Sequence, residues 1–161
     1  MSLRAESAAR TGGAAGTAGL ARVRRASLAT LVLVVAEYVI GMYVNLYSTV
    51  PEADHGQGLG AAIGNGPVLL SIHAVIGLLL GLGALGVAWQ AVRSRRAAVI
   101  AWSAVGLLAL AMATVAGAGF TNTGDRSASM AMSVLTGVAL LCYAANIYLV
   151  RPQGTGTGTG G

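Results

Sequence analysis

The chain has 161 residues, of which 55% are hydrophobic and only 9% charged, and its mean hydropathy is +0.73. Soluble domains carry roughly 25% charged residues, so this composition excludes one: too little polar surface exists to cover a folded particle in water. The net charge of +5 comes from ten basic residues that are all arginine, but they lie in short segments beside apolar runs. No soluble domain is left to present them, so nucleic acid is excluded as a partner.

The first segment, residues 1–26, is low in complexity and holds Arg4, Arg10, Arg22, Arg24 and Arg25; it is expected to be a disordered cytoplasmic tail. Arg24-Arg25-Ala26-Ser27-Leu28 resembles a twin-arginine export signal. The apolar run behind it is long and lacks a small-residue cleavage site, so it is expected to stay as a span.

A hydrocarbon core about 30 Å thick takes about 20 apolar residues in a helix. Four runs reach that length: Leu28 to Tyr47, Val68 to Val92, Ala97 to Phe120 and Ser127 to Val150. Helices are required, since four short runs cannot close a barrel. Nine arginines lie on one side of these runs, and the other side holds only Arg126. Basic loops stay cytoplasmic, which predicts both termini inside. Trp89 and Trp102 flank the Arg93–Arg96 loop, where an aromatic belt sits. The expected fold is all-α: an up-down-up-down four-helix transmembrane bundle over residues 27–151 in a bacterial cytoplasmic membrane. Residues 48–67 form the outer loop, and residues 152–161 form a disordered Gly/Thr tail.

The outer loop carries Pro51, Glu52, Asp54 and His55. Its bland reading is a solvated connector, because a metal site needs three or four converging ligands on a fixed scaffold; His55 and His73 are the candidates for such a role. Cys142 has no second cysteine to pair with and reads as a packed thiol.

Ionisable groups inside a span tend to face the bundle interior. Counted at 1.5 Å per residue, Glu37 lies about 15 Å below the outer end of its run and His73 about 7 Å below its own. Direct contact between them is therefore not expected. Glu37, Gly41 and Asn45 recur every four residues, as do His73, Gly77 and Gly81 on the second run and Ser129, Ser133 and Gly137 on the fourth. Residues so spaced share a helix face, and Thr30 and Val34 continue the first one inward. The faces are expected to meet, with Gly41, Gly77, Gly81 and Gly137 giving either close helix contact or a small cavity. Glu37, Asn45, His73 and Thr136 would then line a polar track open toward the outer side. Thr136 or Ser133 is the expected hydrogen-bond donor to the Glu37 carboxyl.

The stretch Glu37-Tyr38-Val39-Ile40-Gly41-Met42-Tyr43-Val44-Asn45-Leu46-Tyr47, followed by Pro51, His55 and Ser71-Ile72-His73, resembles an uncharacterised family of small bacterial four-helix membrane proteins. That resemblance covers most of Leu28 to Val150. More distantly, the layout resembles four-helix haem bundles of the cytochrome b561 or haem A synthase kind, which would imply haem b. Those bundles place paired histidines on facing helices, and here only His73 lies in a span. Ala36-Glu37-Tyr38-Val39-Ile40-Gly41 and Trp102-Ser103-Ala104-Val105-Gly106 resemble segments of small multidrug transporters, in which the first-helix glutamate exchanges protons for cationic drugs.

No Ser–His–acid constellation or phosphate loop is present, so the chain does not read as an enzyme. The first expectation is a structural or accessory membrane protein whose partners are the lipid bilayer and other membrane subunits or further copies of itself. The alternatives are a haem- or quinone-linked redox subunit and a small proton-coupled transporter using Glu37.

Overall fold

The computed structural model describes residues 2–47 and 67–150 together with Gly60 and Gly64, with side chains from residue 18 onward. The four long helices are α1 (Ser2–Tyr47), α2 (Val68–Ser94), α3 (Ala97–Thr123) and α4 (Arg126–Leu149). Each contains a stretch long and apolar enough to cross a membrane, beginning at Ala18 in α1.

The tail expected to be disordered over residues 1–26 is instead the first part of α1, which is continuous from Ser2. The segment is rich in alanine, the strongest helix former, and contains no proline to interrupt the backbone ladder. The bundle also starts earlier than expected, since Val23 is 1% exposed and packs with Ala91, Val99 and Val150. Pro51, Glu52, Asp54, His55 and the tail over 152–161 lie outside the described residues.

The remaining boundaries follow from local chemistry. Pro67 precedes α2, where its carbonyl accepts from Leu70 N–H at 2.8 Å. The α2–α3 turn is only Arg95 and Arg96, closed by the Arg95 N–H to the Val92 carbonyl with Arg95 at φ 54°. Gly124 ends α3 at φ 67°, a left-handed conformation that glycine adopts without strain. Asp125 then caps α4, accepting from Ser127 N–H at 2.9 Å and Ser127 Oγ at 2.6 Å.

The helices form a ring in which α1 and α3 each lie against both α2 and α4. The buried positions of α1 are Val23, Ser27, Thr30, Val34, Glu37, Gly41 and Val44, alternately four and three residues apart. On α4 the alternation runs through Ser129, Met132, Thr136, Ala139, Tyr143, Asn146 and Val150, with Met132 and Thr136 partly buried. α2 and α3 follow the same rule. A 3–4 alternation averages 3.5 residues per turn, which is the knobs-into-holes seam of a left-handed bundle.

What marks the seam is inverted relative to a soluble bundle. Large apolar residues such as Leu78, Leu141 and Trp89 are outside, while Ser27, Thr30, Glu37, Ser103, Thr121, Ser129 and Asn146 are buried. Lipid is as apolar as leucine, so burying leucine between helices gains little there. Small residues that allow close approach, and polar residues that bond across, hold such helices together.

Candidate functional site: a carboxyl–imidazole pair on a side-open cleft

α1 and α2 each carry a polar residue followed four positions later by glycine: Glu37 and Gly41, His73 and Gly77. The two pairs meet head to tail. A Cβ added at Gly41 would sit 2.9 Å from His73 Cε1, and one added at Gly77 would sit 3.2 Å from Glu37 Oε1. Each polar side chain therefore lies over the other helix's glycine, where no Cβ blocks it.

This arrangement corrects the expected separation of Glu37 and His73. Glu37 Oε1 is 2.9 Å from His73 Nδ1, with the side chains 8% and 20% exposed. The residues are offset by about one helical turn, 5.4 Å, and that gap is bridged once the imidazole lies flat over Gly41. The contact is close but not aligned as a hydrogen bond, and both Nδ1 and the buried second carboxyl oxygen, Oε2, remain without a hydrogen-bond partner.

The expected donors to the carboxyl are engaged elsewhere. Thr136 Oγ1 donates to Met132 O at 2.8 Å and Ser133 Oγ to Ser129 O at 3.1 Å, both within α4. Thr136 and Ser133 still line a pocket of about 30 Å³ beside Glu37, room for about one water. Asn45, one turn above Gly41, accepts from Ser129 Oγ at 2.7 Å and so ties α1 to α4; with Glu37, His73 and Thr136 it also lines the larger cleft.

The glycines divide into two kinds. Gly41 and Gly77 hold the pair, whereas a Cβ added at Gly81 or Gly137 would meet nothing within 4 Å. Gly81 lines a cleft of about 620 Å³. The cause is the seam: a strict four-residue stripe drifts about 40° per step around a helix, so Gly81 falls to one side of the line through His73, Gly77 and Leu80. Compared with family models, with curated proteins and with solved structures, the chain matches none.

The cleft has a back wall and an open side. Glu37, Gly41 and Val44 of α1 and Met132 and Thr136 of α4 form the back. Its other lining includes Leu78, Leu82 and Leu85 of α2 and Ala111 and Thr114 of α3, all exposed on the bundle exterior. It therefore runs from the Glu37–His73 pair out between α2 and α3. Close-packed interiors hold few voids larger than a water, while small-molecule sites occupy about 300–1,000 Å³.

A second polar group lies deeper and carried no weight in the sequence reading. Asn146 Nδ2 donates to Ser103 Oγ at 2.8 Å. Asn146 Oδ1, Tyr143 OH and Ser27 Oγ are buried without partners. The signal for it was a lone asparagine in the fourth apolar run, opposite a serine in the third. Among the described residues no three His, Cys, Asp or Glu side chains converge, and His73 is the single imidazole.

Proposed function

We propose that the chain is a multi-pass protein of a bacterial cytoplasmic membrane, with spans running up-down-up-down and both termini inside. The nine-to-one distribution of arginine supports that orientation. We further propose that it is a small proton-coupled transporter for a lipophilic molecule, with Glu37 as the exchanging group and His73 as its positioning partner.

The observation that carries this reading is Glu37, whose buried Oε2 has no hydrogen-bond partner and which lines a cleft of about 620 Å³. A proton on Oε2 turns it into a donor and removes the acceptor that a ligand's O–H or N–H needs. Proton and ligand therefore compete for one atom, which is the minimum that coupling requires. The ionisable side chains that share the small pocket with Glu37 are His73 and Tyr38, since Met132, Ser133 and Thr136 of α4 carry no ionisable group.

The test is proton release from purified protein in weakly buffered detergent solution, read with a pH dye on adding dodecanol, 4-octylphenol or dodecylamine. At least one should release protons from the wild type and none from Glu37→Gln. No release with any of them overturns the reading, and a Soret band in the same preparation would replace it with the haem-linked role.

A further inference from the structure

We propose that the arginine-rich end of the bundle holds an anionic phospholipid, with its phosphate bound by Arg93 beside Trp89 on the lipid-facing side of α2. This site is independent of the Glu37–His73 pair and of the transport reading.

The fold gathers the charge. Val23 of α1 packs with Ala91 and Val99. That contact sets Arg22, Arg24 and Arg25 at the same end as Arg93, Arg95 and Arg96, and all six are exposed. Among the described residues no carboxylate neutralises them: Glu37 faces His73, and Asp125 caps α4 at the opposite end. Arginines at a bilayer surface draw anionic lipid, by about fivefold for each one close to the surface.

Within that array Arg93 is placed for a lipid head group. Leu78, Leu82, Leu85 and Trp89 are exposed at steps of three or four residues, so they form one apolar stripe along α2. Arg93 follows Trp89 by one turn. A long basic side chain at the end of a span ordinarily extends toward water. Arg93 instead lies back over the indole, its Cζ 5.4 Å from the ring centroid, within cation–π range. Helical side chains lean toward the helix N-terminus, which for α2 is the direction of the bilayer core. The guanidinium is therefore held against the lipid-facing stripe, where a lipid phosphate reaches it more readily than a dissolved anion. The ring face accepts its charge but leaves its five N–H donors for phosphate oxygens, which arginine binds two at a time. A zwitterionic head group would add an ammonium to six positive charges, whereas a net anionic one compensates them.

The experiment is tryptophan quenching in vesicles of phosphatidylglycerol and phosphatidylcholine, with bromine on the chains of one lipid at a time. The chain has two tryptophans, and Trp102→Phe leaves Trp89 as the sole emitter. Phosphatidylglycerol should be preferred at Trp89 by about fivefold or more. Arg93→Gln should lower that preference about fivefold, and Arg25→Gln should keep most of it. Arg25 lies about 200° round α1 from the buried Val23, so it points away from the bundle. Millimolar inorganic phosphate should leave the quenching unchanged. Equal quenching by the two lipids overturns the site. An equal loss in both arginine variants overturns it too, since the attraction would then be diffuse over the whole end. Relief by inorganic phosphate would assign the site to a soluble anion and overturn the lipid. Proton release in the transport test is unaffected by any of these outcomes.

Discussion

Two regions of the bundle, around Gly106 and around Gly81, use glycine in opposite ways. In the half nearer Arg95, the notch at Gly106 is filled: an added Cβ would lie 3.1 Å from Cys142 Cβ and 3.2 Å from Tyr143 Cζ. Tyr143 is 0% exposed there and packs with Val34, Leu80, Ala84 and Leu110. In the other half, Gly81 and Gly137 face open space, and the core gives way to the cleft beside Glu37 and His73. Around Gly106 the notch is closed by a large ring, whereas beside the cleft Gly41 and Gly77 are covered by polar side chains and Gly81 stays open. The lesson is that a glycine on a membrane helix has no fixed meaning until its neighbour's side chain is known.

The most severe break of this contrast is Tyr143→Ala. It empties the filled half, and large-to-small aromatic substitutions in cores cost about 3–5 kcal/mol. Thermal unfolding in detergent should show the largest loss here, and an unchanged melting temperature would mean that the inner half does not hold the bundle together.

The next comparison sets two alanines side by side. Gly41→Ala drives a methyl into the His73 imidazole at 2.9 Å; overpacking of this kind costs about 1–3 kcal/mol, and the ring must move off Glu37. Gly81→Ala meets nothing and should change stability by less than about 0.5 kcal/mol. Equal melting temperatures for the two variants would remove the distinction between occupied and open glycines.

The smallest effect lies outside both halves, at the turn into α4. Two hydrogen bonds from Ser127, side chain then backbone, hold the exposed Asp125 carboxyl below its ordinary range. A depressed folded value means that the cap is present above the unfolded carboxylate range and is lost as pH falls through the folded one. Acidification should therefore loosen the start of α4 in the wild type but not in Asp125→Asn. Amide hydrogen exchange at Ser127 and Ala128 reads this out.

The sequence by itself determined the helices and which of their residues are polar. A backbone in lipid must satisfy its own hydrogen bonds, so a run of about 20 apolar residues leaves only one structure open. It also placed Glu37, His73 and Thr30 on inward faces, because lipid is a poor solvent for such groups. It misplaced the seam: a stripe of every fourth residue and a 3–4 alternation agree at Glu37 and Gly41 but part at Asn45 and Gly81. In a soluble bundle, hydrophobicity separates the two patterns; here both sides of each helix are apolar and it does not. Only the tertiary structure decided the axial register that lays His73 over Gly41 and Glu37 over Gly77, pairs Asn146 with Ser103, and opens α2 from α3 beside Gly81. Register depends on how side chains of one helix fit the gaps of another, and no single helix carries that information.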